Sequence, residues 1–194
     1  NQSDSVAINL CAGSYEVTLT DANGCLDTSY VNIRDTSGFV TSIADSTMVG
    51  CYGECNGSAV ASAENGVQPY DFLWDDVDLT NDSLVTDLCA GTYTVTISDA
   101  IGCTHIQNVT ITQSDLLVMV VSDTNISCNG ACDGSVKVDV SGGVSPYLYQ
   151  WNDAQNSTLE YIDSLCIGQY IVEVTDSNGC SKKDTVSLVE PPEI

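Results

Sequence analysis

The chain has 194 residues, of which 27 are acidic and 4 basic, giving a formal charge of −23 at neutral pH. Nucleic acid is excluded as a natural partner, because phosphate binding needs clustered Lys and Arg, and the basic side chains are only Arg34, Lys137, Lys182 and Lys183. A polybasic membrane anchor is excluded on the same ground, and the longest apolar run, Leu116 to Val121, has six residues against the ~18–20 needed to span a bilayer. Hydrophobic residues make up 43% of the chain, and Val, Ile, Thr and Tyr fall in alternating runs, which argues for a packed core rather than disorder.

Taken in chain order, the predicted elements repeat. The segment Leu10-Cys-Ala-Gly-Ser-Tyr15-Glu-Val-Thr-Leu-Thr-Asp21 is followed by a tight turn, Asp21-Ala-Asn-Gly-Cys25, with Gly at a position that needs positive φ. Gly57 to Ala63 is a strand, and Pro69-Tyr-Asp-Phe-Leu-Trp74 is another. Leu88-Cys-Ala-Gly-Thr-Tyr93 opens a strand in which Tyr93, Val95 and Ile97 alternate with Thr94, Thr96 and Ser98, the period-2 mark of one buried and one wet face. The following turn has Ile101 where the first has Asn, and a strand through Ile106, Val109 and Ile111 follows. The same series then recurs: Gly134 to Val140, Pro146-Tyr-Leu-Tyr-Gln-Trp151, Leu165-Cys-Ile-Gly-Gln-Tyr170, the alternation Tyr170, Val172, Val174, the turn Asp176-Ser-Asn-Gly-Cys180, and a last strand around Val186 and Leu188.

The spacing fixes the unit. Cys11 and Cys89 lie 78 residues apart, and Cys89 and Cys166 lie 77 apart, as do Cys51 and Cys128, and Trp74 and Trp151. The unit is thus about 77 residues with four cysteines. Residues 39–115 and 116–194 are read as complete units, and 1–38 as the C-terminal half of one, whose first half is expected upstream in a longer array. No signal peptide is visible, which predicts a chain processed or cut from something longer. No segment shows 3.6-residue periodicity. Six or seven short strands per unit, with turns every 8–12 residues, predict an all-β fold: tandem small immunoglobulin-like β-sandwich repeats in an elongated array. Leu88-x-x-Gly91-x-Tyr93 fits the corner at which a Tyr hydroxyl bonds back to the preceding backbone, and Trp74 and Trp151 are placed in the core on the third strand.

Ten cysteines with a single His favour disulfides over zinc, which usually shows C-x2-C knuckles and helping histidines. Disulfides imply an oxidising compartment. Cys89 and Cys103 flank one strand and stand ~20 Å apart at ~3.3 Å per residue, so they cannot pair. The expected bridges are Cys55–Cys89 and Cys51–Cys103, with Cys132–Cys166 and Cys128–Cys180 as equivalents; a bridge between neighbouring units is the alternative. Closing loops of roughly 35 and 53 residues, each bridge would add about 3–4 kcal/mol on the chain-entropy model. Cys11 and Cys25 are left without expected partners.

The linked motifs Cys128-Asn-Gly-x-Cys-Asp-Gly-Ser-Val, Gly142-Gly143, Pro146-Tyr-x-Tyr-x-Trp151, Leu165-x-x-Gly-x-Tyr-x-Val and Thr175-Asp-x-Asn-Gly-Cys180 resemble the SprB-type repeat of very large surface adhesins of gliding Bacteroidetes. The resemblance covers nearly the whole chain. It implies export by the type 9 secretion system, display at the outer membrane on the extracellular cell surface, and partners among neighbouring repeats, the gliding or secretion machinery, and a polysaccharide or solid surface. It also implies that the Cys55–Cys89 type of bridge is an addition to a commoner pair.

No catalytic constellation is present, and no enzymatic role is expected. His105 is replaced by Lys182 in the other complete unit, and a Ser-His-Asp device would not be confined to one copy of a repeat. Asp75, Asp76 and Asp78 form the densest acidic cluster and are weak calcium candidates, although the next unit has Asn152 and Asp153 there. No other cofactor is expected. Asp-Ser or Asp-Thr followed by an apolar residue or Thr marks Ser5, Ser46, Ser83, Ser164 and Thr185 as candidates for O-glycosylation, a signal that resembles that of Bacteroidetes surface proteins. The expected function is an extended stalk or filament of a cell-surface adhesin with distributed weak adhesion. A purely structural extracellular filament and an accessory region of a giant secreted enzyme are the alternatives.

Overall fold

The computed structural model describes residues 3–34 and 38–193. Residues 1, 2 and 35–37 of the expected half-unit 1–38, and residue 194 of the last unit, lie outside the described residues. Within those, the secondary structure is fourteen strands and no helix. They fold as two compact units: residues 1–47 with 57–111, and 48–56 with 112–194. The segment 48–56, which the repeat register assigns to 39–115, thus packs into the second unit.

The first unit begins with β1 (Gly13–Thr20) and β2 (Leu26–Ile33), an antiparallel pair in continuous register from Gly13 opposite Ile33 to Thr20 opposite Leu26. Then come β3 (Val40–Thr47), β4 (Gly57–Glu64), β5 (Asp71–Trp74), β6 (Leu84–Leu88), β7 (Gly91–Ser98) and β8 (Thr104–Ile111). They form two antiparallel sheets, in the orders β3-β4-β6 and β5-β7-β8. The second unit repeats the plan with β9 (Val118–Thr124), β10 (Gly134–Ser141), β11 (Leu148–Trp151), β12 (Tyr161–Leu165), β13 (Gly168–Thr175) and β14 (Ser181–Leu188), in the orders β12-β10-β9 and β11-β13-β14. Strands one, two and four of each set share one sheet and strands three, five and six the other. That division is the immunoglobulin-like sandwich, and it is all-β as expected.

The alternation along the strands decides what is buried. In β7, Val95 and Ile97 are fully buried while their neighbours face outward; in β13, Val172 and Val174 do the same. The second unit's core gathers Met119, Val136, Val138, Trp151, Ile162, Leu165, Val172, Val174 and Leu188, with Tyr147, Tyr149 and Tyr170 at its margin. Each Trp is 1% exposed, yet its one polar atom is satisfied: Nε1 of Trp74 donates to the Asp82 carbonyl at 3.0 Å, and Nε1 of Trp151 to that of Leu159 at 2.9 Å. A buried indole with a partner retains its apolar burial without an orphan donor.

A single residue accounts for the change in spacing from 78 to 77. The register of β3 on β4 shifts between Ile43 and Asp45, leaving Ala44 as a bulge, whereas β9 runs on β10 without interruption from Val118 to Thr124. A bulge puts one extra residue on its strand. Gly57 and Gly134 open β4 and β10, where no side chain fits. A Cβ at Gly57 would stand 2.6 Å from the Ile111 side chain, and one at Gly134 would stand 2.8 Å from that of Leu188.

β1 and β2 reproduce the pairing of β7 with β8 and of β13 with β14, eight residues against eight. Their burial does not follow. Val17 and Leu19 are 57% and 70% exposed, where Val95 and Ile97 are at 0%. Among the described residues, no further strand is hydrogen-bonded to this pair.

Replacing Trp151 by Ala removes the largest side chain of the second unit's core. We expect a loss of about 3–5 kcal/mol, read as a lower urea midpoint of the second unit's transition in circular-dichroism titrations; the same midpoint as wild type would contradict this packing.

Candidate functional site

Three local devices recur. The first is the corner. The Tyr15 hydroxyl donates to the Cys11 carbonyl at 2.9 Å, Tyr93 to Cys89 at 3.1 Å and Tyr170 to Cys166 at 3.0 Å. The Tyr thereby pins the turn that ends one strand and starts the next, in the manner expected from Leu-x-x-Gly-x-Tyr.

The second device is the Asp-anchored turn. In Asp176-Ser-Asn-Gly-Cys180, one carboxylate oxygen accepts the N–H of Asn178 and of Cys180, both at 2.9 Å, and the other accepts that of Val144 at 2.9 Å. Asp99 holds Ile101, Cys103 and Val67 in the same way. Both aspartates are buried. Burial pushes their carboxyls up, but the converging N–H groups outweigh it and hold both below the usual aspartate range. Asp153 behaves alike: burial raises it, and the Ser157 hydroxyl and N–H bring it below its ordinary value. Gly24, Gly102 and Gly179 occupy the same place in three turns with φ of 85°, 85° and 86°, a region Gly enters without steric cost.

The third device is the disulfide, and here the pairing departs from expectation. Cys132 is bonded to Cys166, and Cys55 and Cys89 are both disulfide-bonded. Cys51, however, is bonded to Cys180 and Cys103 to Cys11, so neither Cys51–Cys103 nor Cys128–Cys180 forms. Cys25 and Cys128 are free and exposed. The cause lies in segment 48–56. Val49 N–H donates to the Thr112 carbonyl at 2.8 Å, and Gly53 N–H to Gln113 Oε1 at 2.8 Å. These bonds seat Cys51 in the second unit, beside the 176–180 turn. Asn178 Nδ2 then donates to the Gly50 carbonyl at 3.0 Å, next to the bridge. The favoured pairing closed both bridges inside one 77-residue repeat; Cys11–Cys103 and Cys51–Cys180 are instead of the alternative kind, each joining cysteines of neighbouring sequence repeats. The available signal was the Asn shared by the Cys25 and Cys180 turns and replaced by Ile101 in the third.

The remaining candidates are scattered. Asp75 accepts the Thr94 N–H at 2.7 Å, and Asp76 accepts both the N–H and the hydroxyl of Thr80. Their oxygens are thus spent on the fold, as are those of Asn152, toward Ile171, and Asp153 in the next unit. With Asp78 they do not converge: among the described residues, no group of three or more His, Cys, Asp or Glu is placed to hold a metal ion. His105 packs against Phe39 with ring centroids 5.0 Å apart. At each glycosylation candidate the preceding Asp carboxylate accepts from the residue itself: from the N–H of Ser5, Ser46, Ser83 and Thr185, and from the hydroxyl of Ser164. Ser5, Ser46, Ser164 and Thr185 are exposed and Ser83 is half-buried. Among the described residues, no helix is long and apolar enough to cross a membrane.

The SprB repeat family model matches two segments of the chain, residues 43–79 and 121–156. No curated protein matches it. Among solved structures it is similar to an E-to-A variant of three Ig domains of titin, at 15% identity over 93% of this chain and 75% of that one, TM-score 0.40. It is also similar to the amphioxus IgVJ-C2 molecule, at 11% identity over 63% and 89%, TM-score 0.31, and to DIP-gamma IG1+IG2, at 11% over 79% and 98%, TM-score 0.37. At this identity and superposition these likenesses add nothing to the strand order given above.

Replacing Tyr170 by Phe deletes only the corner hydroxyl; a loss of about 1 kcal/mol is expected in equilibrium unfolding, and no loss would mean that the hydroxyl is idle. For Asp99, Asp153 and Asp176, whose folded carboxyls are lowered, the stabilisation is complete above the unfolded value of about 3.9 and disappears as pH falls through the folded value. Melting temperature measured down the acid range should therefore drop below about pH 4, and Asp176→Asn should flatten that drop. An equal drop in wild type and variant would refute the assignment.

Proposed function

We propose that this chain is a repeat segment of a large cell-surface adhesin, exported through the type 9 secretion system of a gliding bacterium, and that its own residues serve as a braced stalk carrying weak, distributed adhesion. The observation that carries this reading is the pair of matches to the SprB repeat model on disulfide-bonded immunoglobulin-like units. Disulfides fit an extracellular location, and the repeat fold points to a non-catalytic region. A net charge of −23 makes copies repel one another, which favours solubility and an extended filament. Under tension the bridges limit how far an unfolded unit lengthens. The partners in this reading are neighbouring repeats, the outer-membrane gliding or secretion machinery, and a polysaccharide or solid surface. O-linked glycans on Ser5, Ser46, Ser83, Ser164 or Thr185 would shield the surface from proteases, and intact-mass measurement of the native protein would reveal them.

The purified chain should be retained on glass or on an immobilised polysaccharide, with retention rising steeply when several copies are linked on one bead. Absence of retention at every valency would sink the adhesive part and leave a pure spacer. Pulled singly, the chain should extend further per unfolding event once a reductant is added. Equal extension with and without reductant would sink the bracing role.

A further inference from the structure

We propose, resting on the adhesive reading of the chain, that the cleft walled by the Cys51–Cys180 bridge in the second unit binds an uncharged sugar residue of a polysaccharide.

Three segments distant in sequence form this cleft: 51–54, 114–117 and 179–182. One atom anchors them. The Gly50 carbonyl accepts from Ser114 Oγ at 3.3 Å and from Asn178 Nδ2 at 3.0 Å. The bridge joins the first segment to the third. Gly143 N–H donates to the Asp115 carbonyl at 3.0 Å and ties the second segment to the end of β10. About 430 Å³ lies between them, within the ~300–1,000 Å³ of small-molecule sites. Walls held by a covalent bond and hydrogen bonds give up little freedom when a ligand arrives.

The lining is mixed in the way a sugar requires. Tyr52 and Leu116 line the cleft and are 53% and 52% exposed, so apolar surface stays open beside polar groups. Of the charged residues there, Glu54 is engaged, its Oε2 accepting from Asn56 Nδ2 at 2.9 Å. Asp115 and Lys182 are left over. Among the described residues the lysine ion pairs are Lys137 with Asp139 and Lys183 with Glu173, and neither the Asp115 carboxylate nor the Lys182 ammonium has a partner. A carboxylate only accepts and an ammonium only donates. Together they serve hydroxyl groups, which do both, while an aromatic face takes the C–H side of a pyranose.

The charge of the ligand follows from the rest of the surface. At a formal charge of −23 the chain repels an acidic polymer at range and attracts a basic one everywhere, cleft or no cleft. Only in the cleft does a free base stand with a free acid, which suits an uncharged ring. One weak site suffices for adhesion when copies are linked.

The test titrates the isotopically labelled full chain, disulfides intact, with dextran, laminarin and xyloglucan, followed by amide NMR and by native electrophoresis in gels containing each glycan. At least one glycan should shift the amides of Tyr52, Asp115, Gly179 and Lys182 and retard the chain. Tyr52→Ala and Asp115→Ala should each weaken binding about tenfold. Lys182→Met should weaken it several-fold. Melting temperatures should not change, because all three side chains are exposed. The carboxymethylated form of the same glycan should bind more weakly. The site is overturned, with adhesion left standing, if a glycan binds but the shifts fall elsewhere, if the variants bind like wild type, or if carboxymethylation leaves binding unchanged. Binding of none of the three glycans overturns the site as well, and retention of linked copies on glass then shows whether adhesion has failed with it.

Discussion

Each unit closes two three-stranded sheets around one tryptophan, and that is little core for its length. A domain of this size buries a smaller share of its unfolded surface than a large one does and is marginal on apolar burial alone. What supplements the burial is local and repeated: a hydroxyl at the corner, a carboxylate in the turn, a sulfur bridge at the strand ends. Each satisfies polar backbone groups that a small sandwich would otherwise leave unpartnered at its rim, or shortens the unfolded chain. Their positions follow from the strand alternation, because the corner and the turn lie at the two ends of the same eight-residue strand.

The strands and core were legible because period-2 alternation reports burial directly. Val95, Ile97, Val172 and Val174 sit where the pattern placed them. The corner was legible because only a Tyr two residues after the Gly can reach back to the carbonyl. Other features left no such mark. Ala44 is an ordinary residue, and its bulge is visible only as one residue of difference between repeats. Asp87 and Ser164 adopt left-handed φ near the ends of β6 and β12, although neither residue is a Gly. The acidic cluster at Asp75 and Asp76 suggested an ion in sequence, yet each side chain has backbone N–H groups to accept from.

The cysteine pairing was the least legible part. A bridge depends on which loop packs on which turn, and segment 48–56 packs on residues distant in sequence. The repeat register hides this, since it assigns that segment by likeness rather than by contact. What the sequence did hold was the contrast between Asn178 and Ile101, which separates the turn that accepts Cys51 from the one that accepts Cys11.

The two long bridges also interleave along the chain: one spans Cys11 to Cys103, the other Cys51 to Cys180. Every peptide bond from Cys11 to Cys180 therefore lies inside at least one covalent loop. A protease that severs the backbone once anywhere in that stretch frees no fragment, and the molecule tolerates a nick in the way a spliced rope tolerates a cut yarn.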